Sequence, residues 1–320
     1  MLFDAVSQGD LQTAPEEARK AEAMGYSVLW VPETSNDPFM SLLRSAEGSE
    51  KLGLGTAIAV ALARNPMTLA YSAWNLQKFS QGRLWLGLGS QVKAHITKRF
   101  SMPWDEPVAR MRDFVAALRA IFDNFQNGGQ LRHQGRFYRH TLMTPFFSPG
   151  PIGHPRIPIG LAAVGPKMTE LVGETADFLS GHPFTNRAFV QKVTYPALFA
   201  GLERAGRRRE DITVVGNVFV ITGDEATQAK MEKGVRKAIS FYGSTPAYAE
   251  VLEILGQGEL HRELHRLSRE GRWDVMAQII PEEVIRACSV RAPVERLRAE
   301  AQRLYGDLYD HLVLAPSLLT

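Results

Sequence analysis

Short, almost continuously apolar runs alternate with stretches whose apolar residues recur every three or four positions, and this alternation predicts the fold. Met1 to Ser7 reads as a first strand, with Leu2, Phe3, Ala5 and Val6 apolar. Thr13, Pro15 and Glu16 then predict a helix start, with Thr13 as cap, Pro15 in the first turn and Glu16 completing a capping box. Gly25 ends that helix. Tyr26 to Pro32 is a second strand, apolar on both faces as a parallel sheet covered on both sides requires. Asp37-Pro38 opens a helix to about Gly48, and Leu52 to Ala61 is the third strand. Asn65-Pro66 starts a third helix with Leu69, Ala73 and Leu76 on one face. Leu84 to Gly89 is a fourth strand, and it runs into the polar loop Ser90-Gln91. The glycines of that stretch let a ring or a phosphate approach the backbone.

Asp105-Glu106-Pro107 begins a long helix whose Val108, Met111, Val115, Leu118, Phe122 and Phe125 alternate spacings of three and four. Residues 126–156 break the rhythm, and five prolines between 145 and 158 predict an extended excursion. Regularity returns with a strand at Ile157 to Ala163 and a helix opening at Gly165-Pro166-Lys167. A strand at Asp177 to His182, a helix at Asn186 to Ala205, a strand at Ile212 to Ile221 and a helix at Asp224 to Phe241 follow. A second excursion, 243–290, is helical in pattern with no strand expected. Pro293 starts a helix with Val294, Leu297, Ala301 and Leu304 on one face, and Tyr309 to Leu314 is the last strand. Eight strands alternating with helices place the chain in the α/β class. They favour a closed (β/α)8 TIM barrel with insertions after strands four and seven, in one domain over residues 1–320. A doubly wound open sheet is the alternative.

Composition changes this picture little. The 320 residues are 45% hydrophobic and 22% charged, an ordinary globular balance. The single cysteine, Cys288, rules out an internal disulfide framework and suits a reducing cytoplasm. No stretch reaches membrane-spanning length, and Met1 to Asp10 has no basic, apolar leader pattern. A cytoplasmic protein is expected. Net charge is +3 with acids and bases intermixed, and Arg207-Arg208-Arg209 sits in a helix-to-strand turn, so neither nucleic acid nor membrane is an expected partner.

In such a barrel the site lies at the carboxyl ends of the strands. The residues there are Glu33 and Thr34, Ala57 to Ala61, Ser90 and Gln91, Ala163 to Lys167, His182 and Asn217. They include few carboxylates, no metal-ligand cluster and no Ser/His/Asp arrangement, so the site is suited to hold a group that carries the chemistry itself. Gly165-Pro166-Lys167 is the candidate anion site, because helix-start amides and the helix dipole favour negative charge. Glu33 and His182 are the candidate proton donors or bases. His261 and His265, at helical i, i+4 spacing, read as a solvated helix face, and Cys288 has no activating neighbour.

Four stretches in order then carry a resemblance: Gly55-Thr56-Ala57-Ile58, Arg64-Asn65-Pro66, Gly82 through Gly89, and Ala162-Ala163-Val164-Gly165-Pro166. Over nearly its whole length the chain resembles the luciferase-like monooxygenase superfamily, and within it the oxidoreductases that use coenzyme F420. The resemblance implies a deazaflavin ring resting on a bulge after strand three, with a non-prolyl cis peptide at Ala57-Ile58 and small Ala57 and Ala59 in close contact. It implies a cofactor phosphate at the amides of Ala163, Val164 and Gly165, beside Pro166 and Lys167. Ser90, Gln91 and His95 would meet the polar side of the ring and its ribityl chain. It also implies a homodimer, for which Trp74 and Phe79 on the third helix are the expected face.

The chain departs from the sugar-phosphate dehydrogenases of that superfamily, which the resemblance would give a His after strand two and a Glu after strand four. Thr34 and Val92 stand at those positions. The expected function is therefore F420-dependent hydride transfer to or from an unidentified organic molecule. The alternatives are an FMN-dependent monooxygenase served by a reductase, a non-catalytic cofactor-binding barrel, and a cofactor-free hydrolase or lyase using Glu33 and His182.

Overall fold

A computed structural model describes residues 1–314. The eight barrel strands are β1 (Leu2–Val6), β2 (Val28–Val31), β3 (Gly53–Thr56), β4 (Leu84–Gly89), β5 (Ile159–Ala162), β6 (Phe178–Ser180), β7 (Thr213–Asn217) and β8 (His311–Val313). All pair in parallel in the order β3-β2-β1-β8-β7-β6-β5-β4, and Leu54 beside Leu84 returns β4 to β3 and closes the ring. The barrel helices are α1 (Ala14–Ala23), α2 (Pro38–Glu47), α3 (Pro66–Phe79), α4 (Pro107–Asn127), α5 (Pro166–Thr175), α6 (Tyr195–Arg204), α7 (Glu225–Gly243) and α8 (Val294–Tyr305). Asp37, Asn65 and Asp224 start α2, α3 and α7 by accepting the amides of Phe39, Met67 and Thr227, each at 2.8 Å. Thr13 does not form the expected capping box with Glu16. Its hydroxyl donates to Glu17 at 2.7 Å, while Asp10 accepts the amides of Gln12 and Thr13.

The barrel interior has a floor, which fixes where a ligand can enter. Trp30, Trp85 and Phe178 meet there with ring centroids 5.4–6.1 Å apart. Glycines on neighbouring strands make room for them: a Cβ on Gly55 would lie 2.2 Å from Trp30, and one on Gly160 would lie 2.1 Å from Phe178. Beside the rings the fully buried Asp4 accepts the Trp30 indole N–H at 2.9 Å and meets His311 Nδ1 at 3.0 Å. These rings fill the barrel interior at their level, and in this architecture ligands bind at the carboxyl ends of the strands.

Four departures from the sequence pattern matter for the site. The expected strand from Leu52 to Ala61 breaks after Thr56, resumes at Ala59–Val60 and turns into a 3-10 segment at Ala61–Ala63. The expected strand Ile212 to Ile221 divides at Val218, and its second piece, Phe219–Ile221, leaves the barrel to pair in parallel with Ser289–Arg291. The second excursion therefore contains a strand, too short at three residues to show alternation. The helix before Arg204 passes through a π-helical turn at Val190–Thr194, because Pro196 has no N–H to donate into the preceding turn. The first excursion is extended as expected but folds a hairpin, His133–Gln134 with Arg139–His140, onto α4. There Asp113 accepts the amides of Phe137 and Tyr138 and meets His133 Nε2 at 2.7 Å.

Trp74, expected at the surface, is fully buried under the first excursion and donates to the Gly150 carbonyl at 3.0 Å. Phe79 is exposed.

Candidate active site

The break in β3 builds one wall of the barrel mouth. Ala57 continues the ladder by donating its amide to Val31 O at 2.9 Å, and the Ala57–Ile58 peptide bond is cis. Ile58 lies over Gly89 of β4, where a Cβ would come within 2.6 Å of its Cδ1. The bulge is tied to β2 through Glu33, whose amide donates to Ile58 O at 3.2 Å and whose carboxylate accepts Val60 N–H at 2.7 Å. Arg64 donates to both Glu33 oxygens, at 2.7 and 2.5 Å, and to Asp37 at 2.9 Å. Glu33 thus has both carboxylate oxygens engaged, with a side chain only 9% exposed. Ala57 faces the barrel interior, whereas Ala59 is fully buried in the layer between barrel and helices, so only its backbone reaches the mouth.

After β4 the chain turns through Gln91, whose φ of 60° is in the left-handed region. Its side chain folds back to accept the Val92 amide at 2.9 Å, and Ser90 donates to the Gln91 carbonyl at 3.2 Å. His95 opens the π-helical turn His95–Arg99 and is exposed. Arg99 reaches across to the Thr34 carbonyl at 2.7 Å and holds this turn against the loop after β2. Val92 is exposed.

The loop after β5 carries the candidate anion site. Among the described residues, no protein acceptor takes the backbone N–H of Ala163, Val164 or Gly165. Gly165 caps α5 without a side chain, and a Cβ built on it would meet nothing within 4 Å. Pro166 has no amide to leave unsatisfied, and Lys167 is exposed in the first turn. Free amides, the positive end of a ten-residue helix and a lysine together suit a phosphate.

His182 lies one step further round. It lines, together with Ala163 and Val164, a crevice of about 30 Å³ beside β6 and β7. Its Nδ1 accepts the Phe184 amide at 3.1 Å, which places the proton of the neutral ring on Nε2. Burial pushes the ring down from its ordinary value to about 4, so it is neutral at pH 7. Its two neighbours, Tyr242 and Tyr248, have ring centroids 4.4 and 4.8 Å away and are not evident from the sequence pattern. The signal was present as aromatics on both sides of the 241–248 turn, yet nothing local tied that turn to β6.

Two features lie outside the site. Cys288 is buried, and desolvation raises its thiol to about 12, which makes it a packing residue. His261 and His265 are not a solvated face: both are half-buried, and their Nδ1 atoms donate to the carbonyls of Gly243 and Ser244 at 2.7 and 2.9 Å. They satisfy the carboxyl end of α7. Among the described residues no helix is long and apolar enough to cross a membrane, and no group of three or more His, Cys, Asp or Glu is placed to hold a metal ion.

A plugged parallel barrel with small residues and free amides at its mouth is suited to hold an organic group against its backbone. The chain belongs to the luciferase-like monooxygenase family, whose model matches residues 3–311, so it is placed among oxidoreductases. It is 48% identical over 314 residues to the uncharacterised protein Rv1360 of Mycobacterium tuberculosis H37Rv, covering 98% of this chain and 92% of that one. It is 26% identical over 307 residues to a putative coenzyme F420-dependent oxidoreductase, Rv3520c, of the same strain, covering 90% and 86%. Its fold is similar to the F420-dependent tetrahydromethanopterin reductase of Methanopyrus kandleri, with a TM-score of 0.80 at 19% identity, covering 99% of this chain and 93% of that one.

Proposed function

We propose that the protein is a coenzyme F420-dependent oxidoreductase that transfers a hydride between the cofactor and an organic substrate. The carrying observation is the free-amide start of α5, which shares a barrel mouth with the small-residue bulge at Ala57. The residues fit the group: the amides of Ala163, Val164 and Gly165, with Lys167, would hold its phosphate, and Ala57 and Ile58 would support one face of its ring. Ser90, Gln91 and His95 would line its polar side. When bound, the deazaflavin supplies a two-electron hydride donor or acceptor that reacts poorly with oxygen.

The rest of the work falls to this chain. Glu33 fixes the bulge instead of carrying a proton, because Val60 N–H and the Arg64 guanidinium already occupy its oxygens. His182, neutral with its proton on Nε2, is a hydrogen-bond donor beside the phosphate loop. The floor of Trp30, Trp85 and Phe178 keeps water from entering from below.

The family's own description favours a second reading, FMN-dependent oxygenation with electrons from a partner reductase. The two are separated by oxygen uptake. Under the F420 reading, protein with reduced FMN and candidate substrates in air consumes no oxygen beyond free FMN, and reduced F420 is oxidised only when a substrate is added. Substrate-dependent oxygen uptake with FMN would replace the first reading by the second. We also propose a homodimer through the α2–α3 side, where Met40, Phe79, Phe146 and Phe147 are 51–88% exposed. Light scattering is expected to give twice the chain mass, and Phe79→Glu is expected to lower it.

A further inference from the structure

His182 and Phe184 after β6, Tyr242 at the end of α7 and Tyr248 in the following turn form an aromatic wall next to the loop of Ala163 and Val164. His182 meets Tyr242 edge-on at 83° and Tyr248 at 44°, and the two tyrosine rings lie 5.5 Å apart. Phe184, 1% exposed, backs the group at 6.3 and 6.0 Å from the two tyrosines. The wall is held from behind at three points. Asn186, 1% exposed, donates to Val251 O at 3.0 Å and accepts the Phe189 amide at 2.9 Å, which ties the loop after β6 to the second excursion. His261 and His265 hold the carbonyls of Gly243 and Ser244, the first two of the five residues between the two tyrosines.

Three polar atoms of this wall are free. Among the described residues, His182 Nε2 and the hydroxyls of Tyr242 and Tyr248 have no protein hydrogen-bond partner. None of them belongs to the buried unpartnered set, which is Arg110 Nε, Asn124 Oδ1, His140 Nε2 and Thr222 Oγ1. Each therefore opens to solvent. Burial raises both phenols, Tyr248 to about 12 with Tyr242 adding to the shift, so at pH 7 all three groups are neutral donors. Half-buried donors that meet no protein partner are free to bond a ligand or water. Neutral donors set among aromatic rings suit a neutral oxygen, whereas an anion placed there without a cation would incur a large desolvation penalty.

We propose that His182, Tyr242 and Tyr248 form the substrate wall of this site and hydrogen-bond the carbonyl or hydroxyl oxygen of an uncharged substrate whose planar, apolar body packs against their rings. This deepens the F420 reading by naming its substrate class, and it rests on that reading only for which mouth the substrate enters. The phosphate loop, with its lysine, recognises the anion of the cofactor; this wall recognises the neutral oxygen of the substrate.

The test uses acetophenone as a neutral probe and benzoate as its anionic match, titrated into full-length protein labelled with ¹⁵N-histidine, with and without F420. The His182 signal, assigned by its loss in His182→Phe, is expected to show the proton on Nε2, to stay untitrated from pH 8 to 5.5, and to shift with acetophenone. Tyr242→Phe and Tyr248→Phe keep the rings and are each expected to weaken acetophenone about fivefold, the worth of one hydrogen bond. Benzoate is expected to bind at least tenfold more weakly. Equal or tighter benzoate binding would overturn the proposal, as would acetophenone binding that ignores all three substitutions or a His182 that titrates near its ordinary value. Because the probe is read without cofactor, failure of F420 to bind would sink the cofactor reading and leave the wall standing.

Discussion

Glu33 and His182 were both visible in the sequence as titratable groups at strand ends, but their roles depend on partners that sequence spacing does not show. Glu33 faces Val60 and Arg64 across a break in β3, and that geometry makes it an anchor. Glu33→Ala leaves Arg64 without its buried partner and is expected to cost about 3 kcal/mol of stability, read by urea denaturation. Glu33→Gln still accepts Val60 N–H and is expected to cost less and to leave the pH profile of turnover unchanged. Loss of one limb of that profile in the Gln variant would make Glu33 a proton carrier after all. His182 supplies a pH signature of a different kind. Its folded value of about 4 is below its ordinary 6.5, so stability from the neutral ring is complete above pH 6.5 and is lost as pH falls toward 4. The melting temperature of His182→Phe is therefore expected to fall less steeply than wild type across that window. Parallel curves for the two proteins would contradict a buried, neutral ring.

At the scale of elements, three caps are legible because their physics is local: Asp37, Asn65 and Asp224 each start a helix where the pattern changes period, whereas Thr13 does not cap α1. Elements set by a distant partner were missed. The strand Ser289–Arg291 exists only because Phe219–Ile221 leaves the barrel to pair with it, and three residues carry no period. His261 and His265 looked solvated because their acceptors sit on another helix. Replacing both with alanine is expected to loosen the end of α7, seen as faster hydrogen exchange across 241–250, with about 1 kcal/mol lost for each bond. The floor of the barrel gives a sharper case. Gly55→Ala would put a methyl 2.2 Å from Trp30, and a destabilisation of about 1–3 kcal/mol is expected from forced repacking, measured by thermal or urea unfolding. A neutral result would mean the floor is loosely packed.

Across the whole molecule, the alternation of apolar runs with amphipathic stretches made the closed barrel legible, since each period reports burial on one face or two. The two excursions were legible only as interruptions, because hairpin, short helices and the strand at 289–291 follow from contacts with the barrel. The tyrosine wall lies at one of those contacts, which is why His182 is legible as a strand-end residue while its neighbours Tyr242 and Tyr248 are not. The central claim is that this mouth holds a deazaflavin with its phosphate on the amides of 163–165. A fluorescence titration of apoprotein with oxidised F420, run beside FMN, tests it most directly. Selective F420 binding is expected, weakened about tenfold or more by Lys167→Ala and by Ala163→Trp. Absence of binding by either cofactor at high micromolar protein, or FMN binding in preference to F420, would contradict it.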